Sequence, residues 1–199
     1  FDGYAVGGLA IGEGQDTTFG VLDATLPFLP ENRPRYLMGV GTPDDIIGAV
    51  QRGIDMFDCV IPTRYARSAT LFTRRGKIRL TNKNYKRDFF PVDPSCGCYT
   101  CQTFSRAYLR HLYLAREAAA MVLATVHNLH FYLSLMGRIR SAIIAGRFAA
   151  LREEVLGAGA TGGAATFLTT FLTLGLALTT LAFLAAFFTG FLAVFFTTF

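Results

Sequence analysis

Short apolar runs alternate with amphipathic helical patterns along the first sixty residues. The apolar runs predict buried strands at Gly3–Leu9, Arg35–Val40 and Ile54–Val60. Between them, apolar residues at near-helical spacing predict helices over Asp16–Leu29 and Thr42–Gly53. Strands that alternate with helices through short links are typical of βα units around a parallel sheet. We therefore predict an α/β fold for this part of the chain.

The second predicted helix carries its own start and stop signals. Thr42 suits the N-cap, Pro43 suits the first helical position, and Asp44 and Asp45 place negative charge in the first turn. Gly53 suits the end of the helix. These signals make this helix the best-defined element of the chain.

The pattern changes after about residue 70. Apolar and polar residues roughly alternate around an Arg-Gly turn over Leu71–Asn82, which predicts an antiparallel hairpin. Helical spacing returns over Gln102–Tyr113 and Glu117–Ile144, and Arg147–Glu154 adds another turn or two. The hairpin therefore separates the βα units from a helical region.

The C-terminal tail differs from the rest in composition. From Val155 to Phe199 there is no Asp, Glu, Lys, Arg or His, so the net charge of +5 lies on the first part. The apolar stretch Ala164–Phe196 is longer than the roughly 20 residues that span a bilayer. Its few residue types also fit an out-of-frame translation of repetitive DNA. The basic excess fits either a polyanionic partner or a solvated surface.

Cysteine usage points to a metal rather than to disulfides. Four cysteines are too few for a disulfide scaffold in 199 residues, and the N-terminus lacks a signal-peptide pattern. The expected location is cytoplasmic, with membrane association only if the apolar tail is genuine. Cys96, Cys98 and Cys101 form C-x-C-x-x-C, a spacing that lets three thiolates bind one zinc ion.

A fourth ligand is needed to close such a zinc site. His111 lies close to the cysteines in the next predicted helix, whereas His127 and His130 lie one turn apart on the following helix, which can run back past the cluster. Spacing alone does not separate these histidines. A closed site of three sulfurs and one nitrogen leaves no open position for a catalytic water, so a structural zinc is expected.

Six motifs follow one another along the chain: GGLAIGE (Gly7–Glu13), RYLMGVGTPDDI (Arg35–Ile46), GIDMFDCVIPTRYAR (Gly53–Arg67), CGCYTC (Cys96–Cys101), SRAYLRHL (Ser105–Leu112) and HNLHFY (His127–Tyr132). Together they closely resemble the C-terminal part of bacterial tRNA-guanine transglycosylases, the queuine tRNA-ribosyltransferase family. The resemblance covers Phe1–Phe148, whereas the tail from about Gly157 resembles nothing in that family.

The resemblance implies the C-terminal part of a (β/α)8 barrel with an inserted zinc-binding subdomain. Residues 1–67 would hold the last three βα units, 68–156 the zinc subdomain and closing helices, and 157–199 the low-complexity tail. The implied activity replaces guanine at the tRNA wobble position with preQ1 or queuine, both 7-deazaguanines. The family also implies a homodimer, and it selects as zinc ligands Cys96, Cys98, Cys101 and His127.

The resemblance assigns the nucleophile to Asp58, in the segment FDCV. The sequence places Asp58 at the C-terminal end of a strand, where catalytic groups of such barrels lie. Asp55 is the competing acid, and strand alternation puts the two on opposite faces. A carboxylate can bond to the sugar carbon as a glycosidic bond breaks, giving a covalent ribosyl intermediate. A structural role for Asp58, in capping or an ion pair, is the alternative.

Substrate contacts follow from the same resemblance. Gly8 and Leu9 would face the incoming base through their backbone, and Met38 would cover one face of it, although Met38 also fits an ordinary core. Contacts with tRNA are expected in two loops. The first holds Gly39, Val40, Gly41, Thr42, Pro43, Asp44 and Asp45, and the second holds Thr63, Arg64, Tyr65, Ala66 and Arg67. The two arginines also fit an ordinary charged surface.

The resemblance places a second catalytic carboxylate on an earlier strand of the barrel, outside this sequence. We therefore expect the chain alone to be inactive and unstable. Two alternatives are a catalytically silent RNA-binding or partner subunit of the same fold, and a membrane-tethered form of the enzyme. The retained Asp58 and complete ligand set favour the enzyme over the silent subunit.

Overall fold

A computed structural model of the chain describes residues 1–9 and 11–160. Residues Phe1–Ala160 form one compact unit of mixed helices and strands. The apolar stretch 164–196, with its predicted membrane segment, lies outside the described residues.

The described residues form five strands and seven α-helices. The strands are β1 (Tyr4–Val6), β2 (Arg35–Leu37), β3 (Met56–Phe57), β4 (Thr70–Thr73) and β5 (Gly76–Arg79). The helices are α1 (Gln15–Thr25), α2 (Pro43–Gln51), α3 (Ile61–Arg67), α4 (Tyr99–Thr103), α5 (Arg106–Leu114), α6 (Ala118–Ile144) and α7 (Phe148–Ala160). Short 3-10 turns follow α1 at Leu26–Phe28 and the hairpin at Lys83–Arg87.

The predicted order of strand, helix, strand, helix, strand is confirmed. Strands β1, β2 and β3 form a parallel sheet in that order, with Ala5 opposite Tyr36 and Leu37 opposite Phe57. The strands are shorter than predicted because Gly8 and Gly39 have positive φ angles of 78° and 74°, which turn the chain away from the sheet. The C-terminal ends of the strands therefore lead directly into the loops of the candidate site.

Helix α2 begins where the sequence predicts. The Thr42 side chain accepts a hydrogen bond from the Asp45 amide, and Pro43 occupies the first turn. The helix packs closely on α1, because a Cβ on Gly48 would lie 2.3 Å from the Phe19 ring. The guanidinium of Arg52 stacks 4.1 Å from the centre of the same ring.

Two sequence-based expectations about helices are wrong. The segment 63–67 is not a loop but most of α3, which Pro62 in the first turn favours. The predicted helix Gln102–Tyr113 is divided into α4 and α5. The break occurs at Ser105, whose side chain caps α5 by accepting a hydrogen bond from the Tyr108 amide.

The antiparallel hairpin is confirmed as β4 and β5, with Leu71 opposite Ile78. The long helix α6 packs against α3, α4, α5, α7 and β4. Within the described residues, α6 is the one helix whose length and hydropathy suit a membrane span, and a core helix meets the same two criteria. Its buried residues recur every three or four positions, which is the pattern of a helix packed on one face.

Candidate metal centre and nucleophile site

Three cysteines and one histidine converge at the start of α4. The donor atoms of Cys96, Cys98, Cys101 and His127 all lie within 4.8 Å of one another. Cys98 is the N-cap of α4, and its sulfur accepts a hydrogen bond from the Cys101 amide at 3.4 Å. This cap fixes the spacing of the last two cysteines, so the local turn builds half of the site.

The spacing of the four donors fits a tetrahedral metal ion. The Nδ1 atom of His127 lies 3.8, 3.5 and 3.3 Å from the sulfurs of Cys96, Cys98 and Cys101. A tetrahedron with sulfur at about 2.3 Å and nitrogen at about 2.0 Å from the ion has a nitrogen–sulfur edge of about 3.5 Å. The three nitrogen–sulfur distances therefore fit a tetrahedral metal site.

The second ring nitrogen of His127 explains its orientation. Nε2 lies 2.7 Å from the Phe72 carbonyl oxygen, so it carries the proton and leaves the Nδ1 lone pair facing the sulfurs. His127 is buried, and this burial lowers the pKa of its imidazole despite the hydrogen bond to Phe72. The ring is therefore held neutral, which is the state that binds a metal.

Burial also acts on the thiols. It raises the pKa values of Cys96 and Cys101 above the usual value of a thiol. Without a cation the thiols stay protonated, and binding of a metal must release protons.

The other two histidines lie outside this group of four donors. Nδ1 of His130 is 3.6 Å from the Cys96 sulfur and 3.4 Å from the Ser134 hydroxyl oxygen, on an exposed part of α6. His111 lies in the last turn of α5. The geometry thus resolves the alternatives that spacing left open.

Sequence reasoning missed Asp93, which shapes the loop before the cysteines. Its carboxylate accepts hydrogen bonds from the Arg74 amide at 2.9 Å and from the amide and hydroxyl of Ser95 at 2.9 and 2.7 Å. Burial alone would raise the pKa of Asp93, but these hydrogen bonds outweigh it and the pKa is lowered. Asp93 therefore joins the hairpin to the metal loop as an anion, and an Asp two residues before Ser is the local signal for such a turn.

Asp58 lies directly after β3, at the C-terminal edge of the parallel sheet. Its Oδ1 atom accepts hydrogen bonds from the Tyr36 hydroxyl at 2.6 Å and from the Gly39 amide at 2.8 Å. The Tyr36 hydrogen bond, followed by that of Gly39, lowers the pKa of Asp58. The same contact raises the pKa of Tyr36, which stays a donor. Asp58 is thus an exposed, ionised carboxylate with a fixed orientation.

The two candidate acids occupy different ends of the neighbouring strand. Asp55 accepts a hydrogen bond from the Arg35 amide at 2.8 Å, at the start of β2, whereas Asp58 binds Tyr36 in the middle of β2 and Gly39 after its end. Asp55 therefore has a structural role at the N-terminal edge. Asp58 is the acid that faces the loops following the strands. The Tyr36 partner was not predicted, since a contact between neighbouring strands leaves no local sequence signal.

The expected base-binding residues surround this edge. Gly8 has open space around its α-carbon, and Met38 is 45 % exposed, which is not the burial of a core residue. The Met38 sulfur lies over Gly7, where a Cβ would approach it to 3.2 Å. These residues leave a planar ligand access to the backbone of the first loop.

The loop after β2 packs directly against the residue that follows Asp58. A Cβ on Gly41 would lie 2.1 Å from the Cys59 sulfur, so only glycine fits at this position. Burial raises the pKa of the Cys59 thiol, which keeps it protonated beside the carboxylate. The position of the loop and that of Asp58 are therefore linked.

The expected tRNA-contact residues divide into exposed and buried groups. Arg64 and Arg67 are exposed and form no ion pair with any described residue. Ala66 is fully buried, and its carbonyl accepts a hydrogen bond from the Tyr113 hydroxyl, so its side chain cannot contact RNA. Val40 and Gly41 are also buried, which leaves backbone groups and the neighbouring residues as the available contacts.

The segment before α2 is held by side chains. Asp45 accepts hydrogen bonds from Gln15 Nε2 at 2.6 Å and from the Thr42 hydroxyl at 2.5 Å. Pro43 and Asp44 complete the first turn of the helix, where Asp44 has a raised pKa caused first by burial and then by the charge of Asp45. Both acids place negative charge at this helix start, which opposes a bound phosphate. Thr63 and Tyr65 lie in α3, with the Thr63 hydroxyl bonded to the Val60 carbonyl.

Comparison with known proteins shows similarity to one family. The profile of the family described as Queuine tRNA-ribosyltransferase matches residues 1–160. The chain is 53 % identical over 154 residues to a queuine tRNA-ribosyltransferase of Aquifex aeolicus, covering 77 % of this chain and 41 % of the relative. It is 54 % identical over 156 residues to the protein of that name from Caldanaerobacter subterraneus, covering 78 % and 42 %. With that from Helicobacter pylori strain Shi470 it shares 53 % over 156 residues, again covering 78 % and 42 %.

The chain thus spans about two fifths of the length of the curated relatives that it matches. The match extends over the sheet, Asp58 and the four metal donors alike. On this evidence, the chain belongs to the queuine tRNA-ribosyltransferase family.

Proposed function

We propose that this chain supplies the nucleophile and the metal-bound subdomain of an enzyme that exchanges guanine in tRNA for a 7-deazaguanine base. The observation that carries the proposal is Asp58, an ionised carboxylate at the C-terminal edge of a parallel sheet. Catalytic groups of (β/α)8 barrels lie at this edge. The relatives named queuine tRNA-ribosyltransferase give the class of reaction.

The sheet supports the assignment to the last strands of such a barrel. Its strands are parallel, are ordered as in the sequence, and are joined by helices. Among the described residues, β1 and β3 are paired on one side only, as a segment of a closed barrel would be. The remaining strands would come from outside this chain.

The reaction proceeds by two displacements at one carbon. A carboxylate oxygen of Asp58 attacks C1′ of the target ribose, the bond from C1′ to N9 breaks, and guanine leaves with the electron pair and gains a proton. The incoming base then loses a proton from N9 and attacks C1′, and the bond to Asp58 breaks to restore the carboxylate. The resemblance assigns the exchanged proton to the second carboxylate on an earlier strand.

The hydrogen bonds to Asp58 suit both steps. The Tyr36 hydroxyl and the Gly39 amide both bind Oδ1 and stabilise the anion. No described side chain donates to Oδ2, which leaves that oxygen available to the sugar carbon. Gly8, Leu9 and Met38 would hold the exchanged base beside it.

A structural zinc ion is the metal that best suits the four donors. Three thiolates and one imidazole in a closed tetrahedron are typical ligands of zinc, and such a site has no open position for substrate. The ion would join the start of α4 to α6. The tRNA anticodon loop would contact α3 through Arg64 and Arg67, where charge attracts phosphate. The homodimer and the cytoplasmic location stay predictions.

Trapping of the covalent intermediate tests the proposal. In the natural full-length protein, denaturing gel electrophoresis and mass spectrometry should detect a tRNA adduct on the peptide that contains Asp58. Asp58→Asn should abolish both the adduct and base exchange, whereas Asp55→Asn should keep the adduct. Tight tRNA binding without any adduct in the unmodified protein would favour the silent RNA-binding subunit instead.

A chimaera gives a second test that is specific to this segment. Residues 1–160 would replace the matching segment of the Aquifex aeolicus relative, in versions with Asp58 and with Asn at that position. Base exchange is expected for the first version only. A folded, metal-loaded chimaera with Asp58 that exchanges no base would contradict the proposal.

A further inference from the structure

Two adjacent residues of α6 bind both backbone groups of a single strand residue. His127 Nε2 donates to the Phe72 carbonyl at 2.7 Å, and the Phe72 amide donates to Asn128 Oδ1 at 3.1 Å. Both side chains are buried, with 1 % and 0 % exposure. The orientation of a metal-binding imidazole and the position of β4 are thus fixed by one another.

The other end of Asn128 reaches α3. Its Nδ2 atom donates to the Pro62 carbonyl at 2.9 Å and to the Thr70 carbonyl at 3.1 Å. Pro62 lies in the first turn of α3, only four positions after Asp58. The amide therefore uses its acceptor and both of its donors on the backbone of two other elements, which specifies one arrangement of the three.

A second contact joins the same strand residue to α3. The Phe72 ring stacks on Tyr65 with ring centres 5.5 Å apart and planes 1° apart. Phe131 and Tyr132 of α6 enclose the other sides of Phe72 at 5.6 and 5.2 Å. Tyr65 directly follows Arg64, so the ring contact and the amide contact hold both halves of this short helix.

We propose that Asn128 is a positioning residue that couples the metal centre to helix α3, so that an intact metal centre holds Arg64 and Arg67 in place relative to Asp58. The role of the arginines rests on the proposed function, whereas the coupling itself does not. When His127 has no metal to orient it, the Phe72 carbonyl loses a fixed hydrogen-bond donor, and α3 loses the firmly held strand that anchors it. The network is contiguous, but coupling along it has to be measured directly.

Hydrogen exchange measures the coupling without any enzymatic activity. In the natural full-length protein, removal of the metal by a chelator should raise amide exchange in Ile61–Arg67 by about 10-fold or more. Helix α1 should change little, because its buried Leu22 packs with the parallel sheet and α2 in a core cluster separate from the one that holds Cys98, Cys101 and Ala66. In Asn128→Ala, exchange in α3 should already be high with metal bound, and chelation should add less than about 2-fold.

Three further variants separate coupling from general destabilisation. Asn128→Asp keeps an acceptor for the Phe72 amide but, as a carboxylate, has no N–H to donate to the Pro62 and Thr70 carbonyls, so α3 should lose protection at least as far as in Asn128→Ala. Tyr65→Leu removes the ring contact and should weaken the metal dependence even if Asn128→Ala fails to fold. Leu135→Ala removes a buried residue of the same core and should leave the metal dependence of α3 intact.

Kinetics connect the coupling to tRNA. Asn128→Ala should raise the KM for tRNA by about 10-fold, with kcat within about 3-fold and one metal per chain retained. Equal increases of amide hydrogen exchange in α1 and α3, when the metal is removed from the unmodified protein, would overturn the proposal. So would an Asn128→Ala variant in which α3 stays protected with metal bound and still responds to chelation. If the unmodified protein does not exchange guanine in tRNA, the proposed function fails, but the hydrogen-exchange experiment still tests the coupling.

Discussion

The metal centre and the nucleophile site are built in opposite ways. The metal centre takes three donors from six consecutive residues and one from a helix that packs against them, and its donors are largely buried. The nucleophile site takes Tyr36 from β2 and Gly39 and Asp58 from the loops after β2 and β3, at an exposed edge. The first site is complete within the described residues, whereas the second would gain further walls from strands outside this chain.

This difference separates stability from chemistry. A closed, buried donor set supports folding but offers no position for a substrate. An exposed carboxylate held by two hydrogen bonds contributes little to folding and remains free to react. Substitutions at the metal centre should therefore mainly lower folding stability, and substitutions at the sheet edge should mainly lower the rate of base exchange.

Removal of the metal should have the largest effect. Cys101→Ser takes one of four donors from a site whose binding free energy is on the order of 10 kcal/mol at neutral pH, so metal and cooperative folding should both be lost. Metal content by elemental analysis and thermal unfolding by circular dichroism measure this. His130→Gln is the matched control, because His130 lies outside the four donors, and it should keep one metal per chain. Loss of the metal in the control alone would reverse the ligand assignment.

Gly41→Ala should displace Asp58, because it creates a steric clash between the loop after β2 and Cys59. The new methyl group would lie 2.1 Å from the Cys59 sulfur and 2.3 Å from its Cβ, costing about 1–3 kcal/mol of stability. Displacement of Asp58 should lower kcat by about 10- to 100-fold. Adding Cys59→Gly should restore more activity than adding Cys59→Ala, since only glycine removes both clashing atoms.

A control for Gly41 is present in α1. Gly20 has open space where a Cβ would lie, so Gly20→Ala should be neutral or stabilising by up to about 1 kcal/mol. A Gly41→Ala protein as stable and active as Gly20→Ala would show that the loop does not constrain Asp58.

Asp93→Asn should weaken the loop that carries the first cysteine. Loss of the anion that accepts from Arg74 and Ser95 should cost about 1–3 kcal/mol, and metal affinity should fall by about 10-fold. The folded pKa of Asp93 is below its usual value of 3.8, so its stabilisation is present above about pH 3.8 and is lost as pH falls further. Denaturant unfolding between pH 3 and 6 should show this acid dependence in the unmodified protein and a weaker one in Asp93→Asn.

Ser95→Ala provides a graded comparison, because it removes only the hydroxyl hydrogen bond to Asp93. Its loss of stability should be smaller than that of Asp93→Asn. An equal loss would show that the charge of Asp93 adds nothing through its contacts with the amides of Arg74 and Ser95.

The local parts of both regions were predictable from the sequence. The C-x-C-x-x-C spacing and the capping signals at Thr42 are contained in single turns, so their geometry follows from neighbouring residues. The choice of His127 over His130 needed the resemblance, because both lie on the same helix one turn apart. Asn128 was missed because its partners lie 56 to 66 positions away, and no period in the sequence records them. For Asp93 the turn with Ser95 has a local signal, but the contact with Arg74, 19 positions away, has none. The hydrogen bond between Tyr36 and Asp58 was missed for the same reason, since the two residues are 22 positions apart, in β2 and directly after the neighbouring strand β3.

Tyr36→Phe should have the smallest effect and should appear mainly as a change in pH dependence. The Tyr36 hydroxyl is the largest contribution to the lowered pKa of Asp58, so its loss should raise that pKa toward 3.8. On the proposed function Asp58 attacks the sugar as an anion, so in the full-length protein the acid limb of kcat/KM should move to higher pH. At pH 7 the carboxylate stays ionised, and kcat/KM should fall by about 3-fold through lost orientation. Tyr4→Phe on the adjacent strand is the matched control, since the Tyr4 hydroxyl has no partner among the described residues, and its profile should not move. An acid limb that stays in place in Tyr36→Phe would mean that backbone amides, those of Gly39 and of Asp58 itself, hold the charge of Asp58. The sheet edge would then depend on the backbone, as the loop after β2 already does at Gly41.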